Sequence, residues 1–210
     1  MTQNQSGVTP WEFESPPRHL SYNNKNKKTI AYIIGVALGD GNLSNSNGRA
    51  VRLRITCDKK YPLLIENITK NLEKVFINNK VSIVDRKNAV DISVYSNDLE
   101  SILGWKAKGG SKIFQKVSVP VWVKQNLSYQ KECLRGLFQT DGSLYLDRGY
   151  IMVNYTSACF TLIDDVRNIL KDISFETKVR KVIDKGKTKY VIRISKNTNK
   201  FIKIINFWKA

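Results

Sequence analysis

The chain has 210 residues, of which 41% are hydrophobic, and a formal net charge of +17 at pH 7. This size and composition support a packed core in one domain or two small ones, and they exclude a disordered chain. The basic residues are spread along the chain, which favours a polyanion, and nucleic acid first, as the partner. No apolar run approaches the roughly 20 residues that span a bilayer, and no secretory signal is recognisable, so we expect no membrane partner.

Residues 1–28 are rich in Asn, Ser, Pro and Lys and are predicted to form a polar leader. After it, Thr29 is a typical N-cap residue, and apolar residues then recur at helical spacing until Gly41. In the rest of the first half, apolar residues recur either at every second position, which predicts strands, or at helical spacing, which predicts helices. The expected elements are strands over 42–47 and 50–57 with a turn at Asn47 and Gly48, a helix over 61–76, a hairpin over 81–95, and a short helix over 97–104.

Residues 106–127 are predicted to form a basic linker, which is too long for a tight turn and is expected to cross one face of the molecule. The second half then repeats the order of the first. Its expected elements are a helix over 128–141, a hairpin over 143–157, a helix over 161–172, a hairpin over 177–195 and a short terminal helix. The ends of the halves also match, since Trp105-Lys106-Ala107 reappears as Trp208-Lys209-Ala210.

These patterns predict a duplicated half-domain, with copies at residues 29–105 and 128–210. Each copy has the order αββαββα. The expected fold class is therefore α+β, a pseudo-twofold duplicate with two antiparallel four-stranded sheets.

A short block occurs twice, at the end of each predicted long helix. Residues 33–43 are Ile-Ile-Gly-Val-Ala-Leu-Gly-Asp-Gly-Asn-Leu, and residues 134–144 are Leu-Arg-Gly-Leu-Phe-Gln-Thr-Asp-Gly-Ser-Leu. Small residues four apart on both helices, beginning at Gly35 and Gly136, would let the two helix backbones approach closely.

Each block contains one carboxylate, Asp40 or Asp141. Packed helices would set these side by side at two negative helix ends, where carboxylates repel each other unless a cation lies between them. Carboxylate oxygens suit Mg²⁺, and metals that bridge two carboxylates activate water in phosphodiester hydrolysis. The structural alternative is that each Asp-Gly pair only ends a helix and starts a hairpin.

Other residue types limit the chemistry. The chain has one histidine, His19, so zinc sites and nuclease sites that need several histidines are not expected. No phosphate-binding loop of the Gly-rich Lys-Ser/Thr type is present. Cys57, Cys133 and Cys159 lack metal-ligand spacing and are odd in number, which predicts free thiols in a reducing intracellular compartment, cytoplasm or organelle, and not secretion.

The two blocks resemble the paired motifs of the LAGLIDADG homing endonucleases, in the single-chain, two-motif form, and the resemblance covers residues 29–210. It implies two twisted sheets that form a DNA-binding saddle around a pair of packed motif helices. It also assigns roles by position. Gly35 and Gly136 would form the helix interface, Asp40 and Asp141 would bind the metals, and the backbone carbonyls of Gly39 and Thr140 would contact the metals too.

The resemblance also suggests basic catalytic residues. The linker is similar to the Lys-Ser-containing linkers that precede second motifs in this family, which makes Lys112 a candidate near the scissile phosphates. A polar residue that orders water commonly follows the second strand of each half. This chain has Cys57-Asp58-Lys59 there in the first half, with Lys59 as the candidate, and Ser157-Ala158 in the second.

The polar strand faces are the expected DNA-reading surface, because the major groove presents a distinct pattern of groups for each base pair. The candidate DNA-binding residues are Arg49, Arg52, Arg54, Asp91, Ser93, Tyr95, Arg148, Tyr150, Asn154, Arg180, Lys189 and Arg193. Since the two halves differ at these positions, the expected target is long and asymmetric.

The first interpretation is therefore a Mg²⁺-dependent endonuclease that breaks both strands of double-stranded DNA and leaves short 3′ overhangs, with Ca²⁺ supporting binding but not cleavage. It is expected to be monomeric, without an obligate protein partner, and intron-encoded or free-standing. The alternative is a non-catalytic binder on the same scaffold, either a group I intron RNA maturase that binds its own intron RNA or a DNA-binding regulator.

Overall fold

The computed structural model describes residues 24–45 and 48–209, with side chains from residue 26 onward. In chain order the first half contains α1 (Asn24–Asp40), β1 (Gly41–Ser44), β2 (Val51–Asp58), α2 (Pro62–Val75), β3 (Ser82–Asp85), β4 (Ala89–Ser96) and α3 (Leu99–Leu103). A short helix, α4 (Val121–Lys124), lies in the linker. The second half contains α5 (Leu127–Asp141), β5 (Gly142–Asp147), β6 (Tyr150–Ser157), α6 (Phe160–Asp172), β7 (Lys178–Asp184), β8 (Lys187–Ile194) and α7 (Thr198–Ile205).

The strands form two separate antiparallel sheets of four strands, in the orders β1-β2-β4-β3 and β5-β6-β8-β7. The equivalent order in both sheets confirms the α+β fold with its duplicated αββαββα half. Pairing also confirms the predicted faces, since Arg52 lies opposite Tyr95 while Leu53 lies opposite Val94. Polar and apolar residues therefore occupy opposite sides of the sheet.

Three boundaries differ from the prediction. Helix α1 begins at Asn24, so Thr29 lies inside it, because the polar residues 24–28 contain no helix-breaking Gly or Pro that would force a start at the Thr. The linker contains the unpredicted helix α4, which begins after Pro120. The first strand is confined to Gly41–Ser44. The predicted turn residue Asn47 and residues 1–23 of the leader lie outside the described residues.

The core lies between each sheet and its helices. Helix α2 buries Leu64, Ile68 and Leu72 at helical spacing, and β2 and β4 contribute fully buried side chains such as Ile55 and Ile92. In the described part of the chain no helix is long and apolar enough to cross a membrane.

Helices α1 and α5 pack through glycines, as predicted. A Cβ atom added at Gly35 would lie 2.9 Å from the carbonyl carbon of Cys133, and one at Gly136 would lie 2.6 Å from the backbone nitrogen of Val36. Real Cβ atoms do not approach backbone so closely, so only glycine permits this separation of the two helices.

A buried polar network crosses the same interface. The Tyr32 hydroxyl donates to Gln139 Oε1 at 2.8 Å and accepts from Asn67 Nδ2 at 2.7 Å. The Arg135 guanidinium lies over the Tyr32 ring, 4.4 Å from its centroid. Tyr32 and Gln139 are both fully buried, so their hydrogen bond fixes the register of α1 against α5.

The linker is fastened to the second half by Asp165 of α6. Its carboxylate accepts hydrogen bonds from the Ser118 hydroxyl at 2.6 Å and the Val119 amide at 2.7 Å, and it pairs with Lys124 Nζ at 2.8 Å. Val117 and Val119 are buried beside these contacts. The linker thus follows a defined path between the two halves.

Candidate metal centre and nucleic-acid interface

The ends of the two motif helices meet at the predicted acids. Asp40 is the last residue of α1 and Asp141 is the last residue of α5. A Cβ atom added at Gly39 would lie 3.2 Å from Asp141 Oδ2, so the Asp141 carboxylate lies directly against the end of α1. The glycine contact between the helices therefore brings both carboxylates into one site.

The environment of this site disfavours two negative charges. Burial, and then the neighbouring Asp40 carboxylate, raise the pKa of Asp141 from 3.8 to about 6. Asp40 keeps an exposed surface, yet loss of water around its carboxylate raises its pKa above 3.8. The two ammonium groups of Lys112 and Lys209 oppose both shifts without cancelling them. Uncompensated negative charge is what a bound divalent cation would neutralise.

Lys112 reaches the end of α1, and the role near the scissile phosphates that the resemblance implied for it stays a prediction. Its Nζ donates to the carbonyl of Leu38 at 2.7 Å and to that of Gly39. The side chain is half-buried, and burial lowers the pKa of its ammonium group while the two aspartates raise it.

Lys209 occupies the matching position at the end of α5 and was missed by the sequence reasoning. Its Nζ donates to the carbonyls of Thr140 and Gly142, each at 3.0 Å. The available signal was the repeated Trp-Lys-Ala tripeptide, whose second copy contains Lys209. The end of each motif helix thus carries one aspartate, and one lysine from elsewhere in the chain donates to the carbonyl groups there.

The donor set fits a hard divalent metal. The two carboxylates and the carbonyl oxygens of Gly39 and Thr140 are all oxygen ligands, of the kind that Mg²⁺ and Ca²⁺ take. In the structure both carbonyls accept hydrogen bonds from lysine ammonium groups, so they already face cations. Among residues 26–45 and 48–209, no group of three or more His, Cys, Asp or Glu side chains is placed to hold a metal ion.

The positions after the second strands differ between the halves. Cys57 is buried, and burial together with Asp40 and Asp91 raises the pKa of its thiol to about 12, so it is uncharged. Lys59 pairs with Asp85 of β3 at 2.8 Å, on the first sheet. Ser157 accepts a hydrogen bond from the Cys159 amide at 3.2 Å. The catalytic role suggested for Lys59 stays a prediction.

The polar face of the first sheet carries a preorganised arginine that the sequence reasoning did not single out. Asp91 is only 6% exposed, accepts from Thr56 Oγ1 at 2.7 Å and pairs with Arg86 at 2.8 Å. These partners lower the pKa of Asp91 despite its burial. The carboxylate is therefore engaged in holding Arg86, whose side chain remains 57% exposed.

The other predicted DNA-binding residues lie on the polar faces or hairpin tips of the two sheets. Arg52 and Arg54 are half-buried, Ser93 is buried and Tyr95 is half exposed. In the second sheet Asn154 lies opposite Arg193, and Arg193 pairs with Asp147 at 2.6 Å while Lys189 pairs with Asp184 at 2.8 Å. The exposed residues in the set are Arg49, Tyr95, Arg148, Tyr150, Arg180 and Arg193.

Comparison with known proteins supports the same fold and motif. Residues 128–206 match the family model of the LAGLIDADG-like domain. A structure of mesophilic variants of the homing endonuclease I-DmoI aligns with 87% of this chain and 97% of that chain, with a TM-score of 0.65 and 18% identity. The LAGLIDADG-like domain is thus matched over residues 128–206, and the fold of LAGLIDADG structures extends over most of the chain.

Other LAGLIDADG structures have the same fold. I-DmoI in complex with DNA and Mn gives a TM-score of 0.64 at 19% identity, over 86% of this chain and 97% of that chain. The N-terminal LAGLIDADG domain of DUF199/WhiA gives 0.58 at 17% identity, over 87% of this chain and 84% of that chain.

Two curated relatives match by sequence over much of this chain. The replication factor C small subunit of Methanocaldococcus jannaschii is 28% identical over 86% of the chain. The tRNA-splicing ligase RtcB of the same organism is 26% identical over 78%. The chain spans only 10% and 20% of their respective lengths.

Proposed function

We propose that this LAGLIDADG protein is a sequence-specific endonuclease that makes a double-strand break in a long, asymmetric DNA target and leaves short 3′ overhangs. The observation that carries the proposal is the pair of desolvated aspartates, Asp40 and Asp141, at adjoining helix ends with one lysine each. A protein that only bound DNA would gain nothing from two carboxylates that raise each other's free energy.

Each group of the centre has a distinct role in the proposal. Divalent metals, with Mg²⁺ the natural choice, would be held by Asp40 and Asp141 with carbonyl oxygens nearby, and would supply activation of water and stabilisation of the leaving oxygen. Lys112 and Lys209 would stabilise charge on the two scissile phosphates, because each ammonium group lies at the end of one motif helix.

Target recognition would come from the two polar sheet faces. Arginine donates two hydrogen bonds to guanine and asparagine makes two with adenine, so exposed Arg86 and Arg193 and half-buried Asn154 are suited to reading bases. The charge of +17 favours attraction to the DNA backbone.

The proposal includes action as a monomer, because one chain supplies both aspartates, and residence in a reducing compartment, where its three free cysteines would stay reduced.

The test is cleavage of a randomised plasmid library with Mg²⁺ by the wild type, Asp40→Asn and Asp141→Asn. Exposed Asp98 precedes α3, and Asp98→Asn is the matched control. We expect double-strand breaks at one long site, a loss of about a thousandfold in rate for each site variant, and no loss for the control. Binding of the recovered site in Ca²⁺ should survive both substitutions. Binding without cleavage by the wild type would contradict the enzyme proposal.

A second candidate is a non-catalytic binder on the same scaffold, either a DNA-binding regulator or a maturase that binds its own intron RNA. The uncharged, buried Cys57 beside Asp40 favours it, because a thiol at that position orders water poorly. The DNA-binding assay with intron RNA as competitor separates these alternatives: a maturase would bind the RNA more tightly than any recovered duplex.

A further inference from the structure

The linker contains an ordered turn over residues 111–116, which we call the linker turn. The Ser111 hydroxyl accepts from the Phe114 amide at 3.1 Å, and the Gln115 amide donates to the Ser111 carbonyl at 3.0 Å. The Lys116 amide donates to the Ile113 carbonyl at 3.1 Å. Lys116 has a φ of 49°, a conformation that a non-glycine residue adopts at some cost. The turn is therefore a built structure.

The Gln115 side chain closes the loop that leads into this turn. Its Oε1 accepts from the Lys106 amide at 2.8 Å, and its Nε2 donates to the carbonyls of Lys106 at 3.0 Å and Gly110 at 2.9 Å. Three hydrogen bonds from one amide group thus join the two ends of the loop and limit its motion.

This ordered turn holds two large apolar side chains in solvent. Phe114 is 80% exposed and Ile113 is 55% exposed. The exposed lysines Lys106, Lys108 and Lys116 lie near them in the chain. Exposed apolar groups on a lysine-rich segment are suited to a partner that offers both a negative surface and an apolar recess.

The linker turn lies at the acidic end of the motif helices. Lys112 lies between Ser111 and Ile113, and its ammonium group donates to the carbonyl of Leu38, two residues before Asp40. If the two sheets occupy successive major grooves, the surface between them faces the intervening minor groove. Ile113 and Phe114 directly follow Lys112, so the segment that reaches the end of α1 also carries this exposed pair.

We propose that Ile113 and Phe114 form an apolar wedge that enters the minor groove of bound DNA beside the candidate cleavage site and partly unstacks a base step there. The inference rests on the proposed function, since it takes duplex DNA as the ligand. Apolar side chains inserted from the minor groove partly unstack a base step and kink the duplex, so insertion would change both base stacking and DNA bend. The negative potential of the minor groove matches the lysines around the pair.

The test uses Phe114→Ala and Ile113→Ala, with Ile77→Ala as the matched control. Ile77 follows α2 and is 79% exposed, nearly as much as Phe114, and its substitution removes the same atoms as Ile113→Ala. Phe114→Leu is a second variant that keeps an apolar group. The probe is the duplex that the wild type recovers from a randomised library in Ca²⁺, with 2-aminopurine at its central steps and a dye pair at its ends.

We expect the wild type to raise 2-aminopurine fluorescence and shorten the end-to-end distance, which report unstacking and bending. Phe114→Ala should weaken binding about tenfold and remove most of the fluorescence change, while Phe114→Leu retains most of both. Ile77→Ala should behave as wild type. Thermal unfolding should be unchanged in the Phe114 and Ile77 variants, because these side chains are 80% and 79% exposed.

The outcomes separate the two proposals. A wild type that recovers and binds no duplex overturns both the proposed function and the wedge. Binding and cleavage by the wild type, with Phe114→Ala indistinguishable from Ile77→Ala in affinity, fluorescence and bending, overturns the wedge alone. A change confined to self-association, measured by sedimentation, assigns the pair to a protein contact and also overturns the wedge.

Discussion

Replacement of Asp141 by Asn tests the electrostatics of the candidate metal centre without requiring a DNA target. Burial and the neighbouring Asp40 raise the pKa of Asp141 from 3.8 to about 6 in the metal-free protein. A folded-state pKa above the unfolded value means that the group's contribution to stability is full below pH 3.8. That contribution is lost as the pH rises through about 6.

The size of the loss follows from the shift. Each pKa unit corresponds to about 1.4 kcal/mol, so ionisation of Asp141 costs the folded, metal-free protein about 3 kcal/mol at pH 7.5 and about 1 kcal/mol at pH 4.5. Asn has nearly the same shape and no charge. We therefore expect Asp141→Asn to be more stable than the wild type by about 3 kcal/mol at pH 7.5, which is a rise in melting temperature of about 6 to 12 °C.

The assay is urea unfolding with EDTA at both pH values, repeated with Mg²⁺ at pH 7.5. Mg²⁺ should stabilise the wild type and not the variant, because only the wild type offers both carboxylates. Asp98→Asn, at an exposed carboxylate, serves as the control and should be neutral. A variant no more stable than the wild type at pH 7.5, or a difference that does not shrink at pH 4.5, would refute the reasoning.

Three further predictions concern the helix contact, the missed lysine and the polar face. Gly136→Ala would place a methyl group 2.6 Å from a backbone nitrogen of α1; urea unfolding should show a loss of about 2 kcal/mol, net of the roughly 1 kcal/mol gained in helix propensity. Unchanged stability would mean that α1 and α5 can move apart at no cost to accommodate the added methyl group. Lys209→Met should slow cleavage about a hundredfold in single-turnover kinetics while affinity in Ca²⁺ changes by less than about threefold, and equal rates for wild type and variant would remove Lys209 from the centre. Asp91→Asn should weaken binding of the recovered duplex about tenfold, because Arg86 loses the carboxylate that orients it; titration with labelled duplex measures this, and an unchanged affinity would show that Arg86 is not used.

The sequence was sufficient for the elements of the two halves and their order, because core-facing residues such as those of β2 and α2 recur with the periods of a strand and a helix. It also placed Gly35, Asp40 and Asp141 correctly relative to one another, since the repeated block implied a symmetric contact. It did not predict the linker helix α4. The start of α1 was missed because the polar residues before Thr29 are compatible with a helix and nothing local stops it.

Contacts made over long sequence distances could not be predicted. Lys209 reaches Thr140 only because α7 returns the chain to the end of α5, a tertiary arrangement that no local period encodes. Asp91 was correctly placed on the polar face, but its engagement by Thr56 and Arg86 depends on strand register and on the conformation of a hairpin turn. Local patterns thus predicted which residues lie on the polar face of each sheet. Tertiary packing determines which of these side chains are engaged in hydrogen bonds and which stay exposed.

The hydrogen bond between Tyr32 and Gln139 makes the helix interface selective for unlike halves. At the spacing that relates Asp40 to Asp141, Tyr32 corresponds to Cys133, and Gln139 corresponds to Leu38. Two copies of α1 packed together would therefore set a tyrosine hydroxyl against leucine, and two copies of α5 would set an amide against a thiol. Each buried polar group left unsatisfied costs about 1 to 3 kcal/mol. Each half thus prefers an unlike half to a second copy of itself, which disfavours dimers in which two like halves are paired.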